Sequence, residues 1–289
     1  MNWKKIIGWL IALAALGFIG FSVFGPKEKA KAPTVETTTV KEENIVETLS
    51  TTGTLQPNAT QNGFGTGLVS EVNFAVGDKV AKDDVIVRYL DGTTITATID
   101  GTITALNVKK DQVDLNTQTG QPSVTIDDLG NLKVAILLSK SDANLVKVDQ
   151  PVTLTSGNTT YTGKVSALDP VATTTTGATG ATGATTALGG TITFDTPPTG
   201  LFAGFEIDAD ITTNTAENAL TMPIETLVYD KENKPYVYIV KNDKAKKVEI
   251  ETGIQSDTKV QIIKGLEKGQ KVIISPADSL KNGTAVTVK

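Results

Sequence analysis

Gly67-Leu68-Val69-Ser70-Glu71-Val72-Asn73-Phe74-Ala75-Val76-Gly77-Asp78-Lys79-Val80 is a short alternating run that ends in a Gly-Asp turn and restarts at once. Alternation of apolar and polar residues at period 2 predicts a half-buried strand, and Gly-Asp marks the break. A second stretch has the same shape: Gly101-Thr102-Ile103-Thr104-Ala105-Leu106-Asn107-Val108-Lys109-Lys110-Asp111-Gln112-Val113, with its leading glycine 34 residues after the first. A period of 34 can signal helical repeats, but both copies alternate like strands and there are only two, so a solenoid is excluded. The pair predicts one β-domain made of two similar halves. Between them, Val85, Ile86, Val87 and Tyr89 form another β-like run that stops at Asp91-Gly92.

The rest of the chain follows the same grammar. Leu132, Val134, Ile136 and Leu138 are a strict period-2 strand, and Tyr236, Tyr238 and Val240 share one face of another whose opposite face carries Val237 and Ile239. One short helix is expected from Ser141 to Val148, with Ser141 as N-cap and Leu145 and Val148 on one side. A second helical turn is expected after Pro223, at Ile224–Leu227. Thr173–Thr186 contains three Gly-Ala-Thr triplets, too few and too proline-poor for collagen, and reads as a flexible hairpin loop. Because Thr173–Gly190 carries only one aliphatic residue larger than Ala, Leu188, the whole tract is expected to be dispensable for folding.

Composition narrows the chemistry. Of 289 residues, 45 are Thr and 5% are aromatic, which favours pleated surfaces over helices. There is no His and no Cys, so imidazole bases, thiolate nucleophiles and the usual ligands of zinc, haem and iron–sulfur clusters are missing. The formal net charge of −5 is evenly spread, with no basic footprint for nucleic acid. No cofactor, no metal site and no catalytic residue is expected. Gly63-x-Gly65-x-Gly67 has the wrong spacing for a dinucleotide fingerprint and enters a strand, so it reads as a bend. Asp208 and Asp210 share a strand face and read as solvated; Asp83-Asp84 and Asp127-Asp128 read as turn residues.

The N-terminus is different in kind. After Lys4 and Lys5, residues 6–25 carry no charge, and as a helix they would span about 30 Å, the hydrocarbon thickness of a bilayer. Eleven of them are Ile, Leu, Val or Phe, including Ile6, Leu10, Leu13, Phe18 and Phe24. At their per-residue insertion free energies these contribute about −3 to −6 kcal/mol. The run is longer than a signal-peptide core, and Pro33 follows the small-x-small sequence Ala30-Lys31-Ala32, so an uncleaved anchor is expected. Counting positive charges on either side predicts a cytoplasmic N-terminus and an extracellular or periplasmic ectodomain.

The paired Gly-x-Val-x-x-Val and Gly77-Asp78-Lys79-Val80 segments resemble the split biotinyl/lipoyl-like domain of membrane fusion proteins, the adaptors of bacterial export pumps, macrolide-exporter-type and haemolysin-secretion-type adaptors among them. Further stretches resemble the same family in the same order: Leu132–Leu138, Gln150-Pro151-Val152-Thr153-Leu154, Gly163-Lys164-Val165 to Asp169-Pro170 and Leu201–Phe205 for its β-barrel domain. Leu220–Leu227 and Ile262-Ile263-Lys264-Gly265-Leu266-Glu267-Lys268-Gly269-Gln270-Lys271-Val272 match its membrane-proximal domain. The resemblance implies a mainly β fold: a transmembrane helix (1–25) and linker (26–39), a membrane-proximal β-domain (40–56 with 216–289), a lipoyl-like sandwich (57–131) and a β-barrel (132–215).

Many family members insert a long α-helical hairpin between the two lipoyl halves. Here that junction is Tyr89-Leu90-Asp91-Gly92-Thr93-Thr94-Ile95, room for a tight turn only. A carrier lysine at this turn, as in true lipoyl domains, is absent; Lys79 and Lys82 in the other loop read as solvated. The resemblance implies a non-catalytic adaptor, a homo-oligomer in the assembled pump, bound to a membrane permease, with an ATP-binding-cassette permease expected ahead of a proton-driven one. Partner contacts are expected at Asp91, Gly92 and Thr93 and at Pro223, Gly265 and Gly269. The alternative is a cell-surface binding or structural protein built from the same modules.

Overall fold

The computed structural model describes residues 32–176 and 184–289. The expected anchor, with Ile6, Leu10, Leu13, Phe18 and Phe24, and the centre of the Gly-Ala-Thr tract lie outside the described residues. Among the described residues no helix is long and apolar enough to cross a membrane. The chain divides into two compact units, one comprising residues 44–219 and 254–257, the other the segments before and after them.

In the first unit the two-half repeat becomes a sandwich. One sheet runs Val113–Asp114, Gly67–Val72, Val85–Tyr89, Thr94–Thr96; the other runs Thr60–Gly63, Val124–Asp127, Gly101–Leu106, Lys79–Val80. Each half lends its short second strand to the long first strand of the other: Leu68 pairs with Val113 and Gly67 with Asp114, while Thr102 pairs with Lys79 and Gly101 with Val80. Adding 34 to the first-copy residues 67, 68, 79 and 80 gives their second-copy counterparts 101, 102, 113 and 114, and exchanging the copies carries one pairing into the other, so the sequence period is a two-fold symmetry of the pairing. The turns agree. Gly77 N–H donates to Ile103 O (2.8 Å) and Asp111 N–H to Val69 O (2.9 Å). Asp111, where the first copy has glycine, takes the same left-handed conformation (φ 62° against 96° at Gly77), a region Asp tolerates better than most residues. Val69, Ile86, Val87, Ile103, Val124 and Ile126 fill the space between the sheets.

Residues from Asn44 to Pro57 in the strand Lys41–Pro57, together with Leu132–Leu138, Ala184–Phe194, Thr159–Leu168, Pro151–Ser156 and the early part of Glu206–Pro223, pair around a closed ring. A closed ring leaves no free edge. Leu132, Val134, Ile136 and Leu138 all point into its core, as their alternation predicts, with Val152, Leu154, Val165 and Ile192.

Two expectations fail here. Ser141–Val148 is not a helix: only Asp142–Asn144 form a 3-10 turn, and Ser139 Oγ, not Ser141, accepts Asp142 N–H (3.3 Å). A longer helix would need an apolar stripe to bury, but Val146 alone is buried while Leu145 and Val148 are each 49% exposed. The threonine tract is not a loop throughout. Thr173–Thr176 and Ala184–Phe194 are paired strands, so a hairpin is present, yet Leu188, Gly189 and Gly190 lie in a central barrel strand opposite Leu138, Leu137 and Ile136. Low side-chain volume there fits crowding: a Cβ at Gly190 would stand 3.1 Å from both Ile136 and Leu168.

The second unit is built on Pro235–Lys241, which pairs with Lys244–Glu249 through a two-residue turn. Asn242 and Asp243 both have positive φ there, as a tight hairpin matched to strand twist requires. Tyr236, Tyr238 and Val240 face one core with Ile273 and Leu280; Val237 and Ile239 face another with Met222, Val260 and Val272. The two-faced strand is as expected, and so is the turn Ile224–Thr226. The two-residue strands Thr34–Val35 and Thr287–Val288 pair in parallel.

Candidate partner-binding surfaces

The expected contact residues Asp91, Gly92 and Thr93 form one turn at the end of the sandwich. Gly92 N–H donates to Tyr89 O (3.0 Å) and Tyr89 N–H to Thr93 O (2.8 Å), so Leu90 and Asp91 make the corner and Gly92, at φ 90°, follows it. This is a three-residue hairpin loop with the glycine at its bulge. Asp91 Oδ1 accepts Thr93 N–H (2.9 Å) and the Thr93 hydroxyl (2.7 Å), and these two bonds hold its exposed carboxyl below the ordinary value. The strands on either side are joined by Leu90, Asp91, Gly92 and Thr93 alone.

The surface beside this turn is apolar on one side only. Leu68 is 40% exposed, its partner Val113 is 60% exposed, and Leu90, whose N–H donates to Leu68 O, is 70% exposed. They form a row across two strands and the adjoining turn. Under the internal two-fold, Leu68 and Val113 correspond to Thr102 and Lys79, so the matching face of the other half is polar. A fold requirement would bear on both halves alike.

Beneath the row lies a polar group that the sequence reading missed. Asp114 occupies the place corresponding to Val80 and is as buried. Its Oδ2 accepts the Tyr89 hydroxyl (2.6 Å) and the Ser123 hydroxyl (2.5 Å); its Oδ1 accepts Asn116 N–H (3.0 Å) and Asn116 Nδ2 (2.9 Å). Burial pushes the Asp114 carboxyl up, but bonds from Ser123, Tyr89 and Asn116 together outweigh it and hold the group below its ordinary value. Burial and the Asp114 charge drive the Tyr89 hydroxyl well above the usual tyrosine range. The available signal was Tyr89 itself, a tyrosine on a buried face whose hydroxyl needs a partner.

Pro223, Gly265 and Gly269 belong to the other unit and sit at separate turns. Pro223 ends a strand opposite Lys259, and its carbonyl accepts the buried Thr226 hydroxyl (2.7 Å). Gly265 has φ 106°, and a Cβ there would stand 2.5 Å from Glu249 O, so packing as well as turn shape demands glycine. Gly269 N–H donates to Val40 O (2.9 Å), and a Cβ there would meet nothing within 4 Å. Next to Pro223, Glu43 accepts Lys259 Nζ (2.7 Å) and the Thr221 hydroxyl (2.5 Å), and its carboxyl is held low by them. Lys79 and Lys82 are exposed, and Asp208 and Asp210 line an open groove in which Asp210 accepts the Ser50 hydroxyl (2.6 Å). Asp127 lies inside a strand instead of a turn, taking bonds from Thr60 and Thr104. Among the described residues no group of three or more Asp or Glu side chains is placed to hold a metal ion.

A family model described as "YknX, C-terminal permuted SH3-like domain" matches residues 219–288. Efflux system component YknX of Bacillus subtilis (strain 168) is 29% identical over 198 residues, 65% of this chain and 50% of that protein. Macrolide export protein MacA of Escherichia coli O157:H7 is 25% identical over 231 residues, 77% of this chain and 59% of that protein. The chain thus spans little more than half the length of these relatives. The crystal structure of MacA from Actinobacillus actinomycetemcomitans has the same fold, with a TM-score of 0.68 at 19% identity, covering 83% of this chain and 99% of that one. The symmetric sandwich, the closed barrel and the C-terminal β-unit give the chain the fold of MacA, and its sequence resembles membrane fusion proteins along most of its length.

Proposed function

We propose that this chain is a non-catalytic, membrane-anchored adaptor subunit of a bacterial export transporter. The observation that supports it most directly is the tip of the sandwich, where the junction between the two halves is a four-residue turn flanked by an apolar row that the internal symmetry does not require. An adaptor works through surfaces, and this surface departs from its own internal copy toward burial. Residues 6–25 hold the chain in the membrane with the N-terminus in the cytoplasm, and the expected linker of 26–39 ends earlier, since Thr34–Val35 and Thr37–Thr39 already pair in the sheets of the ectodomain. The assembled adaptor is a homo-oligomer without cofactor or metal. Asp91, Gly92 and Thr93 contact a partner at the tip; Pro223, Gly265 and Gly269 lie in the membrane-proximal unit that meets the permease. That permease is an ATP-binding-cassette protein ahead of a proton-driven one, because the resembling stretches are those of macrolide-exporter-type adaptors.

Purification of the tagged full chain in mild detergent tests this. The expected result is co-purification of a transport permease identified by mass spectrometry, with export lost when the ectodomain is detached from residues 1–25. Full export from a freely secreted ectodomain at ordinary concentration would refute the anchored mechanism, since tethering would then contribute nothing to partner encounter.

A further inference from the structure

The C-terminal unit holds a cleft of about 390 Å³, within the range of small-molecule sites. Its floor is apolar: Ile273 and Leu280 are buried there, with Val35 and Pro276 beside them. Two acidic residues, Glu36 and Glu225, line it. Glu36 is already matched by Lys289 Nζ (2.9 Å), whereas Glu225 has no ionic or hydrogen-bonding side-chain partner among the described residues. The wall is held in a costly shape. Ser275 has φ 45°, a left-handed conformation that a non-glycine residue rarely takes, and it precedes Pro276, which favours extended backbone before it. The strain is fixed by the Ser275 N–H, which donates to the backbone carbonyl of Glu225 (2.9 Å), so the strained residue is held against the backbone of Glu225 at the cleft wall. Backbone strain of this kind persists where surrounding structure imposes it, and it concentrates at ligand sites.

We infer that this cleft binds small amphiphilic amines, with the apolar body against Ile273 and Leu280 and the ammonium group on the Glu225 carboxylate. An apolar floor alone would accept any small hydrophobe. One unmatched negative charge at its mouth selects a single positive charge, and the nearby Ser275, Ser279 and Thr284 hydroxyls offer acceptors for the remaining N–H groups. The site lies within one unit and does not depend on the transport reading.

The test uses the full chain in detergent at pH 7 and three probes of nearly equal shape: benzylamine, benzyl alcohol and benzoate. Binding is read by calorimetry and by the methyl resonance of Ile273. Benzylamine is expected to bind with a dissociation constant near or below about 1 mM, with the alcohol and the acid at least fivefold weaker, the size of one partly exposed charge pair. Glu225→Gln should bring benzylamine down to the alcohol's affinity, and Ala277→Trp should block all three while the melting temperature stays unchanged. Equal affinity for the three probes, or an undiminished amine preference in Glu225→Gln, would overturn the inference. So would amine binding that appears only after Lys27, Lys29 and Lys31 are changed to Ser, because the chain's own lysines would then be the occupant.

Discussion

Replacing Asp114 by Ala should be far more damaging than its polar character suggests. The side chain is 3% exposed and accepts four hydrogen bonds, two of them from the Tyr89 and Ser123 hydroxyls. Removing it strands both hydroxyls without their acceptor, and each buried orphan costs about 1–3 kcal/mol. The gap left by the carboxylate is polar on its hydroxyl side and large enough to admit a water, so the lower half of that range applies. The expected loss is about 2–4 kcal/mol, or roughly 5–15 °C for a unit of this size. Substituting all three residues together, Asp114→Val with Tyr89→Phe and Ser123→Ala, should recover most of that loss, because an apolar set leaves nothing unpaired and Val80 fills the corresponding place in the other half. The pH dependence has a definite sign. The carboxyl is held below its ordinary value in the folded chain, so its contribution is complete above the unfolded value of about 4 and fades as pH falls through the folded one. Thermal unfolding followed by circular dichroism at pH 7 and at pH 3 measures both effects. A loss under 1 kcal/mol for Asp114→Ala, or a triple variant no better than the single one, would refute the account of a buried, mutually satisfied network.

Intact-mass analysis of the native protein should find residues 1–32 still attached; a mature start near Pro33 would contradict the anchor. Replacing residues 177–183 by Gly-Asn should shift the melting temperature by no more than a few degrees, since loop length enters closure entropy at only about 0.6 kcal/mol per doubling. Extending the deletion through Gly190 should unfold the barrel, because it removes the strand opposite Ile136–Leu138. Asp91→Lys should leave the fold intact and lower export, while unchanged export in that variant would remove the tip turn from the partner surface.

Much of this architecture was legible because its strands are one-sided. Leu132–Leu138 alternates into a closed barrel and Tyr236–Val240 separates two cores, and in both the side-chain period alone assigns every face. The repeat was equally readable, since pairing that obeys a two-fold must appear as a constant offset in residue number. Ser141–Val148 misled because its polar N-terminal residues mimic a helix start, while burial of a single valine decides the conformation. The threonine tract misled in the other direction: Ala, Gly and Thr look like a linker, yet small residues are what a crowded barrel strand accepts beside Ile136 and Leu168. The Asp114 network was invisible because its members are 9 and 25 residues apart and only the pairing of Val113–Asp114 with Gly67–Leu68 brings them together. The contact residues Pro223, Gly265 and Gly269 carry motif-level resemblance, but their geometry shows structural duties that motif matching cannot separate from recognition.

The parallel clasp of Thr34–Val35 with Thr287–Val288 bears on the order in which the two units can fold. Residues 44–219 emerge from the ribosome as an almost complete unit, whereas the other unit needs segments on both sides of them. Closing a loop of some 250 residues is slow when the intervening chain is disordered. A finished inner unit shortens that search, because Asn218 N–H bonded to Asn44 Oδ1 (3.0 Å) already holds the two exits together. A chain that lacks Thr287–Val288 would therefore keep the 44–219 unit folded while Thr34–Val35 in the other unit stays without its pairing strand.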